Sequence, residues 1–496
     1  MFKHFERKKI SHRKQKSLQE LLAVCQKSAD FLSFQASDQS PFSVHYINSL
    51  VEDHHVHDEI LPYLKKNDQM TIADLQQVIP IEDAQIIHHV PDIEQDIMSG
   101  HIIIQIKDDD RVLSLPAALH EKRSLEVPET EFTVVGPQEA FIESIDVNLN
   151  LIRKRLAIPE LVIDEFKVGR LSRNRLAILS IDGITDPQLL QTLTQRIRDA
   201  DYDEVVDTSQ MALLITDYPH SFFPQLLETS RPDRVASGLA EGKVAFTMDG
   251  SPQTYLAPAN FLEYFSSPDD HYMMWPIGLA LRLIRIVALL FSVHATAFYV
   301  AVTSYHHELV PDELLDTLVA TRIEVPYPPI VEVLLLEVTV ELLREAGARL
   351  PNRIGQTIGI VGGIVIGTAV VEASLASSVL LIIIGITALA SFTAPIYQMG
   401  NTIRLIRFPF LVFAQWLGLF GVAVCSLFFL NHLFKLTSLG HPYLAPIYPL
   451  RIRDLRDTLI KLPTRQQQLR PKVLRPLQRK RFDPKPRKKT SKDIEE

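Results

Sequence analysis

Cysteine is almost missing from this chain: of its 496 residues, only Cys25 and Cys425 carry thiols. Cys425 sits inside an apolar run, so no disulfide between the two is expected, and without a CxxC pair no thiolate metal site is expected either. Charge is missing from two long stretches, Ile354 to Val371 and Ala373 to Thr402. Uncharged apolar runs of that length can cross a bilayer as helices, which need about 20 residues, so an ordinary soluble chain is excluded. Catalytic motifs are missing as well. There is no HExxH, nucleophile elbow, Walker A or kinase signature. No enzyme activity, cofactor or nucleic-acid partner is therefore expected. A cleavable signal needs an apolar stretch soon after a basic start, and residues 10–35 are mixed polar instead.

What is present is unevenly spread. The formal net charge of −8 hides an acidic body with basic ends. Lys3, Arg7, Lys8, Lys9, Arg13, Lys14 and Lys16 crowd the start, and Arg451 to Glu496 holds 16 Lys and Arg against 6 Asp and Glu. Residues 1–16 read as a solvated arm or as a contact with an anionic lipid surface. Apolar residues concentrate after Trp275. The expected organisation is an α/β cytoplasmic region of two subdomains, 1–134 and 135–270, then an α-helical polytopic membrane domain, 271–440, and a basic cytoplasmic tail, 441–496.

In the first subdomain, Leu18, Leu21, Leu22, Cys25 and Phe31 have helical spacing, and Ile102–Ile106 and Val112–Leu115 flank a charged turn as two strands. His54, His55 and His57 lie in a polar stretch and read as surface histidines, with no metal expected. In the second, a turn at Gly136 leads into a helix through Leu149, Ile152 and Leu156. Arg175–Asp182 reads as a buried strand. Asp186-Pro187 opens a helix to Asp199, with the aspartate as cap and proline in the first turn. Met211–Thr216 reads as an apolar strand, and Asp249-Gly250-Ser251-Pro252 as a hairpin turn between Lys243–Met248 and Gln253–Leu256.

Four spans are expected, at 286–305, 354–371, 379–395 and 408–434. Tyr272 and Trp275 mark the interface, and Arg282 and Arg285 precede the first span, which places the N-terminal region in the cytoplasm. Four crossings bring the basic tail back to the same side. They also leave Arg404 and Arg407 in an outward loop. Counting Ile330–Leu343 as a span would remove that conflict but put the tail outside, so 330–345 is read as an interfacial or re-entrant helix.

That helix carries the candidate site. Glu337, Glu341 and Glu345 are four residues apart and form one stripe, while Glu332 lies roughly 140° away from it. Near a bilayer each carboxylate costs about 2.5–3.5 kcal/mol unless it meets water, a cation or a partner. The stripe therefore either lines an aqueous cation path or pairs with Arg344, Arg349 or Arg353. Gly355, Gly359, Gly363 and Gly367, also four apart, form a small-residue face for helix packing, within one chain or between copies.

Several stretches resemble the A subunits of the nutrient germinant receptors of endospore-forming bacteria. They are Glu139-Ala140-Phe141 with Asn148 and Leu151–Leu156 (LIRKRL), Phe223–Gln225 (FPQ), Arg231–Arg234 (RPDR), Glu241–Val244 (EGKV), Met248–Pro252 (MDGSP), Val325–Pro328 (VPYP), Arg344–Gly363 (REAGARLPNRIGQTIGIVGG), Ala390–Phe392 (ASF) and Arg404–Phe408 (RLIRF). The resemblance implies an integral protein of the spore inner membrane, surrounded by membrane lipids. It implies a permease-like B subunit and a lipoprotein C subunit as partners. It also implies assembly into a homo-oligomer that forms a nutrient-gated ion channel. The alternatives are a membrane-anchored scaffold without a pore and a transporter subunit; the absence of paired internal repeats argues against the transporter.

Overall fold

A computed structural model describes residues 17–37, 40–52, 54–66, 70–106, 109, 111–119, 131, 133, 135–349, 363, 365, 367–452, 454–455 and 466–482. The chain begins with helix α1 (Leu18–Cys25), whose first turn is capped by the Ser17 hydroxyl, 3.3 Å from the Glu20 N–H. The helical series ends at Cys25. Phe31 opens strand β1 (Phe31–Gln35) instead of continuing it. There follow β2 (Phe42–Ile47), α2 (Leu61–Lys66), α3 (Ile72–Val78), β3 (Gln85–Ile87), α4 (Val90–Met98), β4 (His101–Ile106) and β5 (Val112–Pro116).

The five strands form one sheet in the order β1-β2-β4-β5-β3, antiparallel throughout. Both of its faces are covered. Ile102 and Ile104 of β4 join Ile60, Leu64 and Leu75 in one core, while Ile103 joins Leu21, Ile93 and Ile97 in the other. Side chains alternate across a strand, so a strand buried on both faces needs three isoleucines in a row rather than an alternating pattern.

The second subdomain contains α5 (Ile145–Arg155), β6 (Leu161–Val168), β7 (Asn174–Ile181), α6 (Pro187–Asp199), α7 (Thr208–Ile215), β8 (Leu227–Thr229), α8 (Pro232–Glu241), β9 (Val244–Met248) and β10 (Thr254–Ala257). Its sheet runs β6-β7-β9-β10-β8 and is also antiparallel. Asp186 caps α6, accepting the Gln188 N–H at 3.0 Å, and β9 and β10 pair across the Asp249-Gly250 turn as the sequence predicts. The expected strand at Met211–Thr216 is a correction: these residues lie in α7 and its cap, which buries Met211, Ala212 and Ile215 and leaves Leu213 71% exposed. A six-residue apolar run is too short for periodicity to separate helix from strand.

A buried seam joins the subdomains. Arg153 of α5 grips Asp30 through two hydrogen bonds, Nη2 to Oδ1 at 2.7 Å and Nε to Oδ2 at 3.1 Å. Ser28 and Ser49 donate to the same carboxylate at 2.6 and 2.8 Å. Asn150 reaches the Ser49 carbonyl at 2.7 Å, and the Ala29 N–H donates to Ile163 of β6 at 2.8 Å.

Further helices among the described residues include α9 (Asp269–Tyr272), α10 (Trp275–Tyr305), α11 (Asp312–Arg322), α12 (Pro329–Arg349), α13 (Ser378–Ser391) and α14 (Tyr397–Lys435). Two of them, α10 and α14, are long and apolar enough to cross a membrane. Arg282 and Arg285, near the start of α10, both point to the buried Asp270, at 3.3 Å.

The sequence reading takes 408–434 as a single crossing; α14 begins earlier, at Tyr397, and doubles back. Thr402 donates to the Phe222 carbonyl at 2.7 Å, and His432 lies 3.0 Å from the neighbouring Ser221 hydroxyl. In a straight helix, 30 residues span about 45 Å, so both contacts require a fold between them. That fold is at Gly418, with φ 61° and ψ −140°, a conformation open in practice only to glycine. Phe410 of one arm stacks on Phe429 of the other, with centroids 5.7 Å apart.

After α14 the chain settles on the second subdomain. Ser438 accepts the Ala259 N–H at 2.9 Å and donates to Gln225 at 2.6 Å, and the Tyr443 hydroxyl donates to Pro224 at 2.7 Å. Further on, Leu477 N–H bonds Ile184 at 2.9 Å and Arg481 pairs with Glu241 at 2.7 Å. This part of the basic tail is therefore folded onto the domain rather than extended from it.

Candidate functional site

Helix α12 opens at Pro329, after Pro326 and Pro328 of the VPYP stretch. Proline fits a first helical turn because the N–H it lacks would be unpaired there. The helix is continuous to Arg349, so the four glutamates lie on one rigid element.

Glu332 is fully buried. One oxygen accepts Arg322 of α11 at 2.9 Å, and the other accepts the Ser377 N–H at the start of α13 at 3.2 Å. The predicted stripe faces elsewhere. Both oxygens of Glu337 meet Nη1 of Arg407, at 2.9 and 3.2 Å, and both side chains are nearly fully buried. Glu341 pairs with Arg344 in its own helix and lies 3.6 Å from Arg404 of α14. Glu345 accepts Arg349 at 2.6 and 2.9 Å in an exposed intrahelical pair.

Arg404 and Arg407, expected in an outward loop, are buried on the first arm of α14 and face the acidic helix. Arg404 meets Glu341 one turn from where Arg407 meets Glu337, so α12 and this arm run antiparallel with their charges matched turn by turn. The sequence reading missed both arginines as partners of the stripe, and Glu332 as the residue that ties α11 to α13. A signal was available: two arginines three apart in an apolar setting match two glutamates four apart on a facing helix.

The bundle is built around α10. It packs along α14 and lies against α12 and α13. Tyr299 meets Ser377 at 3.1 Å, and His294 lies 3.4 Å from Ser426. Ser292 and Thr296, one turn apart on α10, are fully buried, and their hydroxyls have no hydrogen-bond partner among the described residues. Of the predicted glycine face, Gly355 and Gly359 lie outside the described residues. Gly363 faces open space, and a Cβ on Gly367 would sit 3.7 Å from Leu381 of α13.

The other stretches behind the resemblance act as stitches. Arg231 of RPDR is completely buried and donates to Thr133 at 2.6 Å, to the Pro137 carbonyl at 2.9 Å and to Asp233 at 2.9 Å. It therefore ties the segment between the subdomains to α8. Burial opposes ionisation of Asp233, but Arg231 and Tyr272 outweigh it and hold the carboxyl below its usual range. In EGKV, Gly242 ends α8 in the left-handed conformation, and Lys243 pairs with Glu263 at 2.6 Å. In MDGSP, Asp249 accepts the first N–H of α5 at 3.1 Å.

A family profile described as "Bacillus/Clostridium GerA spore germination protein" matches residues 16–473. The chain is 46% identical over 478 residues to spore germination protein GerQA of Bacillus cereus, covering 96% of each chain. It is 41% identical to GerIA of the same organism, over 92% of this chain and 69% of that one. Against spore germination protein A1 of Bacillus subtilis it is 37% identical, over 84% and 87%. Among solved structures, the N-terminal domain of the A subunit of the Bacillus megaterium spore germinant receptor GerK3 aligns with 49% of this chain and 96% of its own, at 23% identity and a TM-score of 0.36.

Proposed function

The chain belongs to the Bacillus/Clostridium GerA spore germination protein family, whose role is in spore germination, and from that premise we propose that it forms the cation path of a nutrient receptor in the spore inner membrane. In this reading it is the A-type subunit and works with a permease-like B subunit and a lipoprotein C subunit. Copies assemble so that the α12 helices, with Glu337, Glu341 and Glu345, surround an aqueous route. The face bearing Gly355, Gly359, Gly363 and Gly367 supplies close helix contacts.

The observation that carries this reading is the buried Glu337–Arg407 pair. Taking two charges out of water costs several kcal/mol per ion and is offset only when the pair is intact. The pair therefore gives α12 and α14 two distinct states, locked together or separated with the carboxylates released to water and cations. A nutrient signal from the partner subunit favours the separated state. The buried hydroxyls of Ser292 and Thr296 add polar groups along the same bundle. The entry to α10 and the segment after α14 both pack on the second subdomain, which supports a common side for the N-terminal region and the tail, the cytoplasmic side in this reading.

A scaffold without a pore is the second reading, and the complete pairing of the four glutamates with arginines favours it. Potassium release from spores separates the two. Spores carrying Glu337→Gln with Glu341→Gln should release potassium more slowly on nutrient addition, at unchanged protein level, because the neutral side chains no longer attract cations even though the Glu337–Arg407 lock is lost. Release at the normal rate would remove the path from this helix and leave the scaffold.

A further inference from the structure

A cluster outside the helical bundle points to a metal. Between β2 and α2 the chain makes a π-helical turn, His55–Ile60, entered from His54, which already has helical dihedrals. Such turns are rare and concentrate at functional sites. The wider turn has a direct effect on side-chain alignment. In an α-helix, Glu59 would stand about 140° round the axis from His54. With about 4.4 residues per turn, it stands roughly 50° from His54 and roughly 30° from His55 on the other side. The carboxylate is thus centred between two imidazoles that are adjacent in sequence.

The distances agree with that geometry. One Glu59 oxygen is 2.6 Å from Nδ1 of His55, and the other is 3.8 Å from Nε2 of His54. One donor atom from each of the three residues lies within 4.8 Å of the others. A fourth group stands behind them: Glu52 is 3.9 Å from Nε2 of His55, the ring nitrogen facing away from Glu59. A carboxylate on the far nitrogen of a ligating histidine is the usual way its tautomer and ring orientation are set. His55 and Glu59 are about 30% exposed and His54 61%, so the rings have room to turn while one side stays open to solvent.

We propose that His54 Nε2, His55 Nδ1 and Glu59 bind one divalent transition ion of the zinc class, with Glu52 orienting His55 and water completing the coordination. Two imidazoles are borderline donors that suit zinc, nickel or copper, and zinc also accepts a carboxylate oxygen beside them. Calcium requires 6–8 oxygens, about five more than this turn offers, so it is excluded. At bond lengths of about 2.0–2.2 Å, ligand atoms stand roughly 3.3–3.5 Å apart. The His55–Glu59 hydrogen bond must therefore open by somewhat less than an ångström while His54 closes in, and the proton on Nδ1 leaves to solvent as the ion takes its place. The bound ion pins the turn that connects β2 to α2 in the first subdomain.

The test uses the full chain, purified in mild detergent without a polyhistidine tag and titrated with zinc chloride against a chromophoric chelator. The wild-type chain should bind one equivalent that is lost in both His55→Gln and Glu59→Gln. Glu52→Gln should keep that equivalent but weaken it at least about 10-fold, as expected for an orienting partner. Cobalt(II) should give visible d–d absorption in the wild type that is absent from His54→Gln. Melting curves of the metal-free variants, matching the wild type, exclude misfolding as the cause. Equal zinc stoichiometry and affinity in wild type and both variants would overturn the site, and displacement of zinc by millimolar calcium would overturn the assigned ion class.

Discussion

Replacing Arg153 with methionine should unfasten the two N-terminal subdomains. Arg153 and Asp30 are 2% and 3% exposed, so the substitution leaves a carboxylate in the seam with only the Ser28 and Ser49 hydroxyls to serve it. Breaking a buried pair from one side costs about 3–5 kcal/mol. For a region of about 250 residues, 1 kcal/mol moves the melting temperature by about 2–4 °C, so the first unfolding transition should fall by about 6–20 °C. The assay is thermal melting of the full chain in mild detergent, followed by circular dichroism.

A double variant, Arg153→Met with Asp30→Leu, should recover most of the loss, because no charge is then left buried. The pH dependence gives a second check. Burial alone would raise the Asp30 carboxyl, but Arg153 and its hydrogen bonds outweigh this and hold it below the ordinary value of 3.8. A lowered folded pKa means that this contribution is complete above about pH 4 and is lost as pH falls through the folded value, so in the wild type it is flat from pH 5 to 8. In Arg153→Met only the Ser28 and Ser49 hydrogen bonds still oppose burial, so the carboxyl rises, the sign reverses, and that variant should be more stable at pH 5 than at pH 8. A fall of less than about 2 °C in the single variant, or a double variant that simply sums two losses, would refute the account of the seam.

Two further outcomes concern the helices. Arg407→Gln leaves Glu337 without its cation and weakens the locked state by about 3–5 kcal/mol, a shift of roughly 150- to 4,000-fold in population. Spores with that variant should release potassium at lower nutrient doses or with none, with partial correction by Arg407→Lys; an unchanged dose response would count against the two-state reading. Gly418→Ala puts a Cβ 3.1 Å from His306 and 3.2 Å from Tyr305 in a backbone conformation that costs alanine about 1–3 kcal/mol. Its level in the membrane and its melting temperature should both fall, and wild-type values would show that α14 does not need the glycine fold.

What the sequence determined by itself was local or cumulative. Asp186-Pro187 marks a helix start and Asp249-Gly250 a hairpin, because the responsible physics lies within four residues. The stripe of Glu337, Glu341 and Glu345 follows from helical periodicity alone, and the division into a polar first half and an apolar second half follows from composition. Family membership was legible because RPDR and REAGARLP are long and specific.

Tertiary structure decided everything that joins distant positions. Asp30 meets Arg153, and Glu337 meets Arg407, only because packing brings their elements together; no periodic pattern encodes a partner 70 or 123 residues away. A smooth apolar run from Phe408 to Phe434 conceals a reversal at one of its glycines, since hydrophobicity is the same in either direction of travel. The three histidines after β2 read as surface residues in sequence, and only the wider turn of the backbone places Glu59 between two of them.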